Sequence, residues 1–503
     1  MSVSSGSLLG DGCTCVDELF QAAAQEFGER DAVVEPDGSR ISYAEWDRRS
    51  DALAGALRER GICPGDVVAL LLPSSIDFAV CYAAIARCGA VTTALNTRLG
   101  PREIRHILHL AAPALIVCDA ISGVPPGGPL LARSELALLY GHRGLGTDRP
   151  KPPSDAPVVI VWTSGTTGAP KGAWFDTVNL REGARAAGVM SAAGDRRLIA
   201  TPFAHAGYMF KIWDQVAWGV TVVISEVPWS AASMARTMSD ERISVVGAVP
   251  TQWAKLLDVT DLPRFPDLRI GICATAPAAP DLVEAVSSRL VVPLVVRYAM
   301  TEAPTVCGTA PKDPLDVQFR TVGKPQAGME VTITDDAGAE SPTGVLGQIR
   351  VRGGCVMRGY WGERQRTTES LTTDGWLRTG DLGYLTSAGN VVLVGRNGDV
   401  YNRGGYKVHP VEVENLVAEH PSVRRCAVVG TPAPVIGEIG VAFVVPSDPE
   451  HPPTLSTLRT WVRTQLADYK APDRLVVLDE LPVTPMLKTD RATLRRAAAD
   501  LAD

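Results

Sequence analysis

The sequence predicts an α/β protein with a large N-terminal domain of several subdomains, in which helices cover parallel sheets, and a small α+β C-terminal domain. Three observations support this class. Short apolar runs rich in Val and Ile alternate with helical patterns, as is typical of parallel strands buried on both faces. From about Arg320 strand patterns separated by turn residues replace the alternation and predict a β-rich subdomain. A last segment with its own strands and helices divides the chain into predicted domains of 1–396 and 397–503.

The alternation begins with a predicted buried strand at 66–72, which is followed by an amphipathic helix at 75–88. Another strand is predicted at 114–118. The stretch 122–157 is rich in Gly and Pro, so we interpret it as a surface connection that contains one short helix.

From residue 157 the alternation is regular, and ligands of such folds bind at the carboxyl ends of the strands. The predicted strands are 158–162, 198–201, 221–225, 245–249, 268–273 and 294–298, then 330–335, 347–352 and 390–394. In the last segment we predict helices at 411–419 and 455–466 and strands at 425–429 and 441–445.

Composition and charge exclude several classes of function. The 49 Lys and Arg against 56 Asp and Glu give a formal net charge of −7, which disfavours sequence-independent nucleic-acid binding. No apolar run is long enough for a membrane-spanning helix, and the N-terminus lacks the pattern of a signal peptide. The ten cysteines are scattered without a CxxC pair, so we expect free thiols in a reduced, cytoplasmic protein.

The strongest local signal is the segment 163–172, TSGTTGAPKG, directly after a predicted strand. Its three glycines allow the backbone to approach a ligand closely, and its four hydroxyls and Lys171 can donate to phosphate oxygens. Gly172 follows the lysine where a P-loop would need a hydroxyl, so this is not the P-loop of the NTPases. The alternative, a flexible Ser/Gly turn, fits this density of donors less well.

The segment 161–172 resembles the phosphate loop of the adenylate-forming (ANL) superfamily, which includes acyl-CoA synthetases, peptide-synthetase adenylation domains and luciferases. Further motifs that are similar to those of the superfamily follow in the same order, and the resemblance covers nearly the whole chain. They are Pro202-Phe203-Ala204-His205, Tyr298-Ala299-Met300-Thr301-Glu302, Thr379-Gly380-Asp381, Gly395-Arg396, Gly404-Gly405 and Lys488.

The resemblance implies that the enzyme uses ATP and Mg²⁺. It implies that Glu302 and Thr166 are magnesium ligands and that Thr301 contacts the α-phosphate, although a Thr-Glu pair alone would also suit a helix start. The residues implied in binding the β- and γ-phosphates are Thr163, Ser164, Gly165, Thr166, Thr167, Gly168 and Lys171.

The resemblance also implies a nucleoside site. Asp381 would accept hydrogen bonds from the ribose hydroxyls, and Arg396 would support the ribose from the hinge; a turn aspartate is the alternative for Asp381. The other residues implied in binding ATP or AMP are Ala274, Thr275, Ala276, Tyr298, Ala299 and Met300.

The resemblance implies two further catalytic residues. Lys488, on a mobile C-terminal domain, would bridge the carboxylate and the α-phosphate during adenylation. His205 would gate the acyl pocket, whereas a packed core histidine is an equal alternative. Three departures from the family pattern stand out: Gly398 lies at the hinge pivot, Leu487 replaces the glycine before Lys488, and Ala274-Thr275 replaces a Gly-Gly pair.

The carboxylic acid that the enzyme activates cannot be predicted from the sequence. Tyr208, Trp213 and Trp253 are predicted to line the acyl pocket, on segments that also carry Gln252 and Arg297. Lys211 and Asp214 are three apart on a predicted helix at 208–218, so they either pair with each other or one of them meets a polar group of the substrate.

The acceptor of the acyl group separates the subfamilies. Gly404, Gly405 and Lys407 resemble the loop that borders the pantetheine tunnel of acyl-CoA synthetases, so we expect acyl transfer to CoA, as in the fatty-acid and other carboxylate–CoA ligases. The alternatives are a ligase that loads a separate acyl carrier protein and one that forms an amide. A nucleotide-binding protein without turnover is a third hypothesis, but such a protein should have lost Lys488, Glu302 or the phosphate loop.

Overall fold

The structure is a computed structural model, and its helices and strands confirm the predicted α/β class. It describes residues 7–9, 12–119, 128–163, 169–274, 280–484 and 489–501. Within these residues no helix is both long and apolar enough to cross a membrane.

The strands lie close to the predicted apolar runs, and in the parallel sheets most of their residues are buried. In chain order they are β1 (Asp31–Val34), β2 (Arg40–Ser42), β3 (Val67–Leu71), β4 (Val91–Ala94), β5 (Leu115–Cys118), β6 (Leu130–Ala132), β7 (Pro157–Thr163), β8 (Lys171–Asp176), β9 (Arg196–Ile199), β10 (Thr221–Ile224), β11 (Val245–Ala248), β12 (Ile270–Ala274), β13 (Leu294–Met300), β14 (Ala303–Gly308), β15 (Lys324–Pro325), β16 (Met329–Thr334), β17 (Gly347–Gly353), β18 (Gly359–Tyr360), β19 (Leu377–Leu385), β20 (Val391–Arg396), β21 (Tyr401–Arg403), β22 (Tyr406–Val408), β23 (Val423–Ala433), β24 (Gly437–Pro446) and β25 (Arg474–Val477).

The helices begin at residues that suit helix starts: Ser75 accepts a hydrogen bond from the Phe78 amide before one of them, and Pro250 and Pro410 begin two others. They are α1 (Val16–Phe27), α2 (Tyr43–Glu59), α3 (Ile76–Arg87), α4 (Pro101–Ala111), α5 (Arg133–Leu139), α6 (Thr177–Arg185), α7 (Ala206–Met209), α8 (Ile212–Trp218), α9 (Ala231–Asp240), α10 (Pro250–Leu257), α11 (Pro280–Leu290), α12 (Leu315–Arg320), α13 (Arg364–Ser370), α14 (Pro410–Ala418), α15 (Leu455–Arg463) and α16 (Arg491–Asp500).

Two large sheets form the N-terminal part. The first has the order β15-β14-β13-β12-β11-β9-β10-β1-β2, and its strands from β13 to β1 are parallel. The second has the order β18-β8-β7-β4-β3-β5-β6, with β7, β4, β3, β5 and β6 parallel. Each parallel block therefore presents the carboxyl ends of its strands at one edge, where ligands of α/β proteins bind.

The later part of the chain is rich in strands, as predicted, and most of these strands pair antiparallel. Strands β16, β17, β19 and β20 form a four-stranded sheet. Beyond the hinge, β22, β21, β24 and β23 form a sheet to which β25 adds in parallel, with α14, α15 and α16 packed against it. Its apolar residues, from Tyr401 to Ala498, form two core clusters of their own. The boundary at 396 and 397 stays a prediction.

Two local predictions need correction. The stretch 122–157 is more than a surface connection, because β6 pairs with β5 at the sheet edge and Leu131 and Leu136 are buried. A three-residue strand is too short to show a periodicity in the sequence. The helix predicted at 208–218 is two short helices, α7 and α8, separated by Phe210 and Lys211.

A buried ion cluster joins α1, α2 and α3. The Arg87 side chain has no exposed surface and contacts Asp47, together with Asp17 at 3.5 Å and Asp51 at 3.6 Å. Arg149 also binds Asp17, at 2.9 Å, and Asp51, at 2.7 Å. Because three carboxylates share two guanidinium groups, the loss of Arg87 would leave Asp47 without its cation. The buried Asp17 would then share Arg149 with Asp51.

We predict that Arg87→Met lowers the free energy of unfolding of the N-terminal part by about 3 to 5 kcal/mol, because the Asp17 carboxylate stays buried. The matched control is Arg143→Met, which removes an exposed ion pair with Glu59 and should cost less than about 1 kcal/mol. Urea unfolding followed by tryptophan fluorescence measures both changes. Equal unfolding midpoints for the two variants would contradict the prediction.

Candidate active site

The predicted phosphate loop lies between the paired ends of two antiparallel strands. Thr163, the last residue of β7, pairs with Lys171, the first residue of β8. The loop therefore starts at the carboxyl end of a parallel strand, as the sequence predicts. Ser164, Gly165, Thr166, Thr167 and Gly168 lie outside the described residues.

The predicted nucleoside residues lie at the ends of two neighbouring strands of the other large sheet. Strand β12 ends at Ala274, which pairs in register with Arg297 of β13. Strand β13 runs on to Met300, so Ala299 and Met300 extend beyond this pair; both are half-buried. Thr275 and Ala276 lie outside the described residues.

Tyr360 connects the two large sheets at Glu302. It belongs to β18 of the second sheet, and its hydroxyl donates to the Glu302 carboxylate at 2.8 Å, directly after β13 of the first. The Lys171 ammonium lies 5.6 Å from the centre of the same ring. Burial, with the charge of Glu302, raises the pKa of Tyr360, so its hydroxyl stays a donor. The structure thus brings together Glu302 and Lys171, which the sequence places far apart.

The surroundings of Glu302 suit a magnesium ion. One oxygen of its half-buried carboxylate accepts the Tyr360 hydrogen bond, and its backbone oxygen accepts one from Met357 at 2.8 Å. No group of three or more acidic, His or Cys side chains that could hold a metal occurs in the described part of the chain. Mg²⁺ is typically held by one or two carboxylates, with water and substrate phosphates as its other ligands. A single carboxylate beside a phosphate loop therefore fits this ion.

Asp381 is buried between two partners that the sequence also singled out. The Tyr298 hydroxyl donates to one of its oxygens at 2.5 Å, and the Arg396 guanidinium donates to the other at 2.8 Å. Burial, with the Asp381 charge, raises the pKa of Tyr298, which keeps that hydroxyl protonated. Arg396 is half-exposed at the end of β20, where it pairs in register with Asp381. The Asp381 carboxylate, which is predicted to bind the ribose, therefore meets the end of β13 and the start of the predicted hinge.

Two predicted catalytic residues are accessible. His205 precedes α7 as its N-cap, where its ring accepts a hydrogen bond from the Gly207 amide at 3.4 Å, and it is half-buried. Thr301 is half-buried in the reversal between β13 and β14, next to Glu302. These exposures suit residues that meet a substrate better than residues of a core.

The three aromatic residues predicted to line the acyl pocket are buried in core clusters. Tyr208 stacks on Phe203, with ring centres 3.6 Å apart, and Trp213 belongs to the same cluster. Trp253 belongs to a second cluster and donates to the Ile272 oxygen at 3.2 Å. Their role in the pocket stays a prediction that these contacts do not support.

The first of the two alternatives for Lys211 and Asp214 is wrong. Asp214 accepts a hydrogen bond from Arg197 at 2.9 Å. Lys211 instead donates to the Thr305 hydroxyl at 3.0 Å, on the strand that follows Glu302. The break between α7 and α8 directs the two side chains to different partners.

The residues predicted to border CoA form an exposed turn. Gly404 and Gly405 connect β21 to β22 with φ values of 59° and 86°, which favour glycine, and Lys407 is exposed. The Gly404 amide donates to the Ile436 oxygen at 2.8 Å. No contact among the described residues joins this turn to Glu302 or Asp381. The structure therefore does not bring the predicted CoA-binding residues to the predicted ATP site.

Lys488 lies outside the described residues, but its flanks are described. Val483 and Thr489 form an antiparallel bridge. Nearby, Glu480 accepts a hydrogen bond from Lys255 of α10 at 3.0 Å, and Arg425 donates to Thr251 of the same helix at 3.1 Å. These contacts hold the C-terminal part against the N-terminal part, beside the end of β11.

Sequence reasoning missed Tyr360 and Thr305. No motif marks either residue: Tyr360 is singled out only by its bond to Glu302, and Thr305 only by its bond to Lys211. The only feature of the sequence that could have pointed to Thr305 was its short spacing from Glu302.

The comparisons with known proteins identify the family of this chain. Residues 20–361 match the family described as AMP-binding enzyme, and residues 412–488 match the AMP-binding enzyme C-terminal domain. A feruloyl-CoA synthase of an Amycolatopsis species is 32% identical over 472 residues, which cover 91% of this chain and 94% of the relative. A fatty acid–[acyl-carrier-protein] ligase, ScoC, of Streptomyces coeruleorubidus is 30% identical, with coverage of 91% and 92%.

The crystal structure of ATP-bound MatB from Rhodopseudomonas palustris superposes with a TM-score of 0.88 at 27% identity, covering 97% of this chain and 100% of that one. The first family match alone spans more than half of the chain, and it includes Lys171, His205 and Glu302. The chain therefore belongs to the AMP-binding enzyme family, the adenylate-forming enzymes that its motifs resemble.

Proposed function

We propose that this enzyme is an AMP-forming carboxylate–CoA ligase, which activates a carboxylic acid with ATP and then transfers the acyl group to CoA. The observation that carries the proposal is the arrangement around the end of β13. Tyr298 binds Asp381 on one side, and four residues later Glu302 binds Tyr360 beside Lys171. The proposed ribose site and phosphate site thus share the short backbone segment from Tyr298 to Glu302.

In the first step the substrate carboxylate attacks the α-phosphorus of ATP, and pyrophosphate leaves with the bonding electrons. Two anions must approach each other, so the site has to balance charge where the reaction occurs. Lys171, with the phosphate loop, would hold the β- and γ-phosphates; Thr301 would contact the α-phosphate, and Asp381 with Arg396 would hold the ribose. The product is acyl-AMP.

Mg²⁺ belongs to the proposal, with Glu302 and Thr166 as its protein ligands. When bound, the ion supplies positive charge to the phosphate oxygens. The protein's own contribution is to hold the Glu302 carboxylate: the Tyr360 hydroxyl restrains one oxygen and leaves the other for coordination.

In the second step the thiol of CoA attacks the acyl carbonyl and loses its proton, and AMP leaves. We propose that residues 397–503 rotate about the hinge at Arg396 to Asp399, which would withdraw Lys488 and bring Gly404, Gly405 and Lys407 to the acyl-AMP. The flexible Gly398 and the exposed Gly404-Gly405 turn support this movement. A carrier-protein thiol is the second candidate acceptor, which the similarity to ScoC favours.

The same proposal places the enzyme in the cytoplasm, in fatty-acid or related carboxylate metabolism. All ten cysteines are free and none pairs with another, which suits a reducing compartment.

We predict that ATP, magnesium and a suitable carboxylic acid give pyrophosphate, and that CoA then gives acyl-CoA and AMP. A panel of acids assayed for pyrophosphate release, with and without CoA, tests both steps. Formation of ADP and phosphate would refute the proposal, as would the absence of acid-dependent pyrophosphate across the panel. Acyl transfer to a carrier protein but not to CoA would favour the second candidate.

We predict that Glu302→Gln lowers the adenylation rate on the order of a hundredfold, because the amide keeps the shape of the side chain but removes its charge. The matched control is Glu330→Gln, which changes an exposed carboxylate paired with Arg352 and should leave the rate unchanged. Raising the magnesium concentration should partly restore the Glu302 variant. Wild-type adenylation by that variant would show that Glu302 is structural.

We predict that Lys488→Ala lowers adenylation about 10²- to 10³-fold, the effect of losing one preorganised contact to the reacting groups, and largely spares thioester formation. Single-turnover acyl-CoA formation from prepared acyl-AMP, measured beside adenylation from ATP, separates the two steps. Equal damage to both would contradict the rotation and leave the adenylation assignment intact.

A further inference from the structure

Lys211 is an enclosed cation that the proposed chemistry does not use. It lies between α7 and α8, six residues after His205, and its ammonium donates to Thr305 at 3.0 Å. An ammonium carries three donors, and Thr305 is its one hydrogen-bond partner among the described residues. Its side chain keeps some accessible surface, yet burial lowers its pKa.

The position of this pair relates it to the acyl group. Lys211 follows His205, the residue implied in gating the acyl pocket. Thr305 lies three residues after Glu302, on strand β14, which begins at Ala303. The segments that carry His205 and Glu302 therefore meet where the Lys211 ammonium donates to the Thr305 hydroxyl.

Positive charge exceeds negative charge around Lys211. Burial is the main cause that lowers the pKa of Lys211. Of the charges near it, Asp214 raises this pKa, and Arg197 and Arg297 lower it by smaller amounts. The nearby Cys355 thiol is kept neutral because burial raises its pKa to about 11. Arg197 binds Asp214 at 2.9 Å, so that carboxylate is already paired. Lys211 itself has no carboxylate partner in the described residues.

Arg297 adds to this excess. It is buried, donates to the neutral Thr309 oxygen at 2.9 Å, and its Nε atom has no hydrogen-bond partner in the part of the chain that the structure describes. Burial lowers its pKa to about 10. A Cβ at Gly308 would lie 1.4 Å from its guanidinium, so the side chain is fixed across that glycine. The charge of Asp313 raises the pKa of Arg297, but the two form no ion pair among the described residues. Buried cations that no carboxylate contacts are unfavourable, which makes this region complementary to an anion.

We propose that Lys211, positioned by Thr305, is a specificity-determining residue that binds a second anionic oxygen group at the far end of the acyl substrate. The preferred substrates are then carboxylic acids that carry another acidic group at the end away from the reacting carboxylate, rather than unbranched fatty acids. The inference rests on the proposed ligase activity and names its substrate class. Thr305 holds the ammonium in place, and the bound acid supplies the charge that the protein lacks there.

The test compares matched acids that differ in the second group: octanedioate against octanoate, and 4-carboxycinnamate against cinnamate. The kcat/KM for pyrophosphate release is measured for wild type, Lys211→Met, Lys211→Arg and Thr305→Val. Lys312→Met, which removes an exposed lysine, is the matched control.

We expect wild type to prefer the diacids. Lys211→Met should lower kcat/KM for a diacid about 30- to 100-fold, the effect of losing a charge-assisted hydrogen bond, and leave the monoacid unchanged or improved. Lys211→Arg should recover part of the preference, Thr305→Val should weaken it, and Lys312→Met should leave it intact. A wild-type preference for the monoacids would overturn the proposal, as would an equal loss for both acids in Lys211→Met.

Thermal stabilisation by the acids gives a readout without catalysis. Octanedioate should raise the Tm of wild type more than octanoate does, and this difference should vanish in Lys211→Met but not in Lys312→Met. If no acid gave pyrophosphate while the Tm difference held, the ligase proposal would fail and the anion site would stand. Pyrophosphate release without any difference between diacids and monoacids would support the ligase activity and refute the proposed anion site.

Discussion

The burial of the Asp381 carboxylate is the constraint on which the rest of the site depends. A buried anion must be hydrogen-bonded, and its partners come from two different parts of the fold: Tyr298 from the largest sheet and Arg396 from the strand that leads into the hinge. The β-rich subdomain is thereby fixed against the end of β13. In the proposed mechanism the hinge begins at Arg396, so the Arg396–Asp381 ion pair would couple domain movement to nucleotide binding.

The same strand end carries the second junction. Tyr360 brings the sheet of the phosphate loop to Glu302, and its ring lies beside the Lys171 ammonium. Strands buried in two rigid sheets place these groups, which reduces the reorganisation needed when charge moves during adenylation. The C-terminal part is attached to α10 by two polar contacts, those of Glu480 and Arg425. Polar contacts of this kind suit the proposed rotation, whereas a broad apolar interface would oppose it.

The region around Lys211 shows how such a rigid framework can select a substrate. Its cations are fixed by neutral oxygens, at Thr305 and Thr309, which orient them without cancelling their charge. A substrate that brings its own anion completes this region, and an alkyl chain does not. Selectivity for an anionic substrate then arises because the positive charge near Lys211 is balanced only when that substrate binds.

The sequence by itself determined the fold class, most strand positions and the identity of the adenylate-forming motifs, because buried parallel strands and phosphate-binding loops need local residue patterns. It also marked Asp381, Glu302 and Lys171, which belong to such patterns. It did not mark Tyr360 or Thr305, whose importance comes from one contact each with residues far away in the chain. Periodicity predicted one helix at 208–218, whereas the structure has a break at Lys211 that sends this side chain to Thr305 and leaves Asp214 to Arg197. The segments that carry Tyr208, Trp213 and Trp253 suggested them as pocket residues, yet all three pack into cores. The residue pattern of a segment indicates which helix or strand it can form. Only tertiary packing decides which faces of these elements contact each other, and therefore which charged side chains are left without a partner.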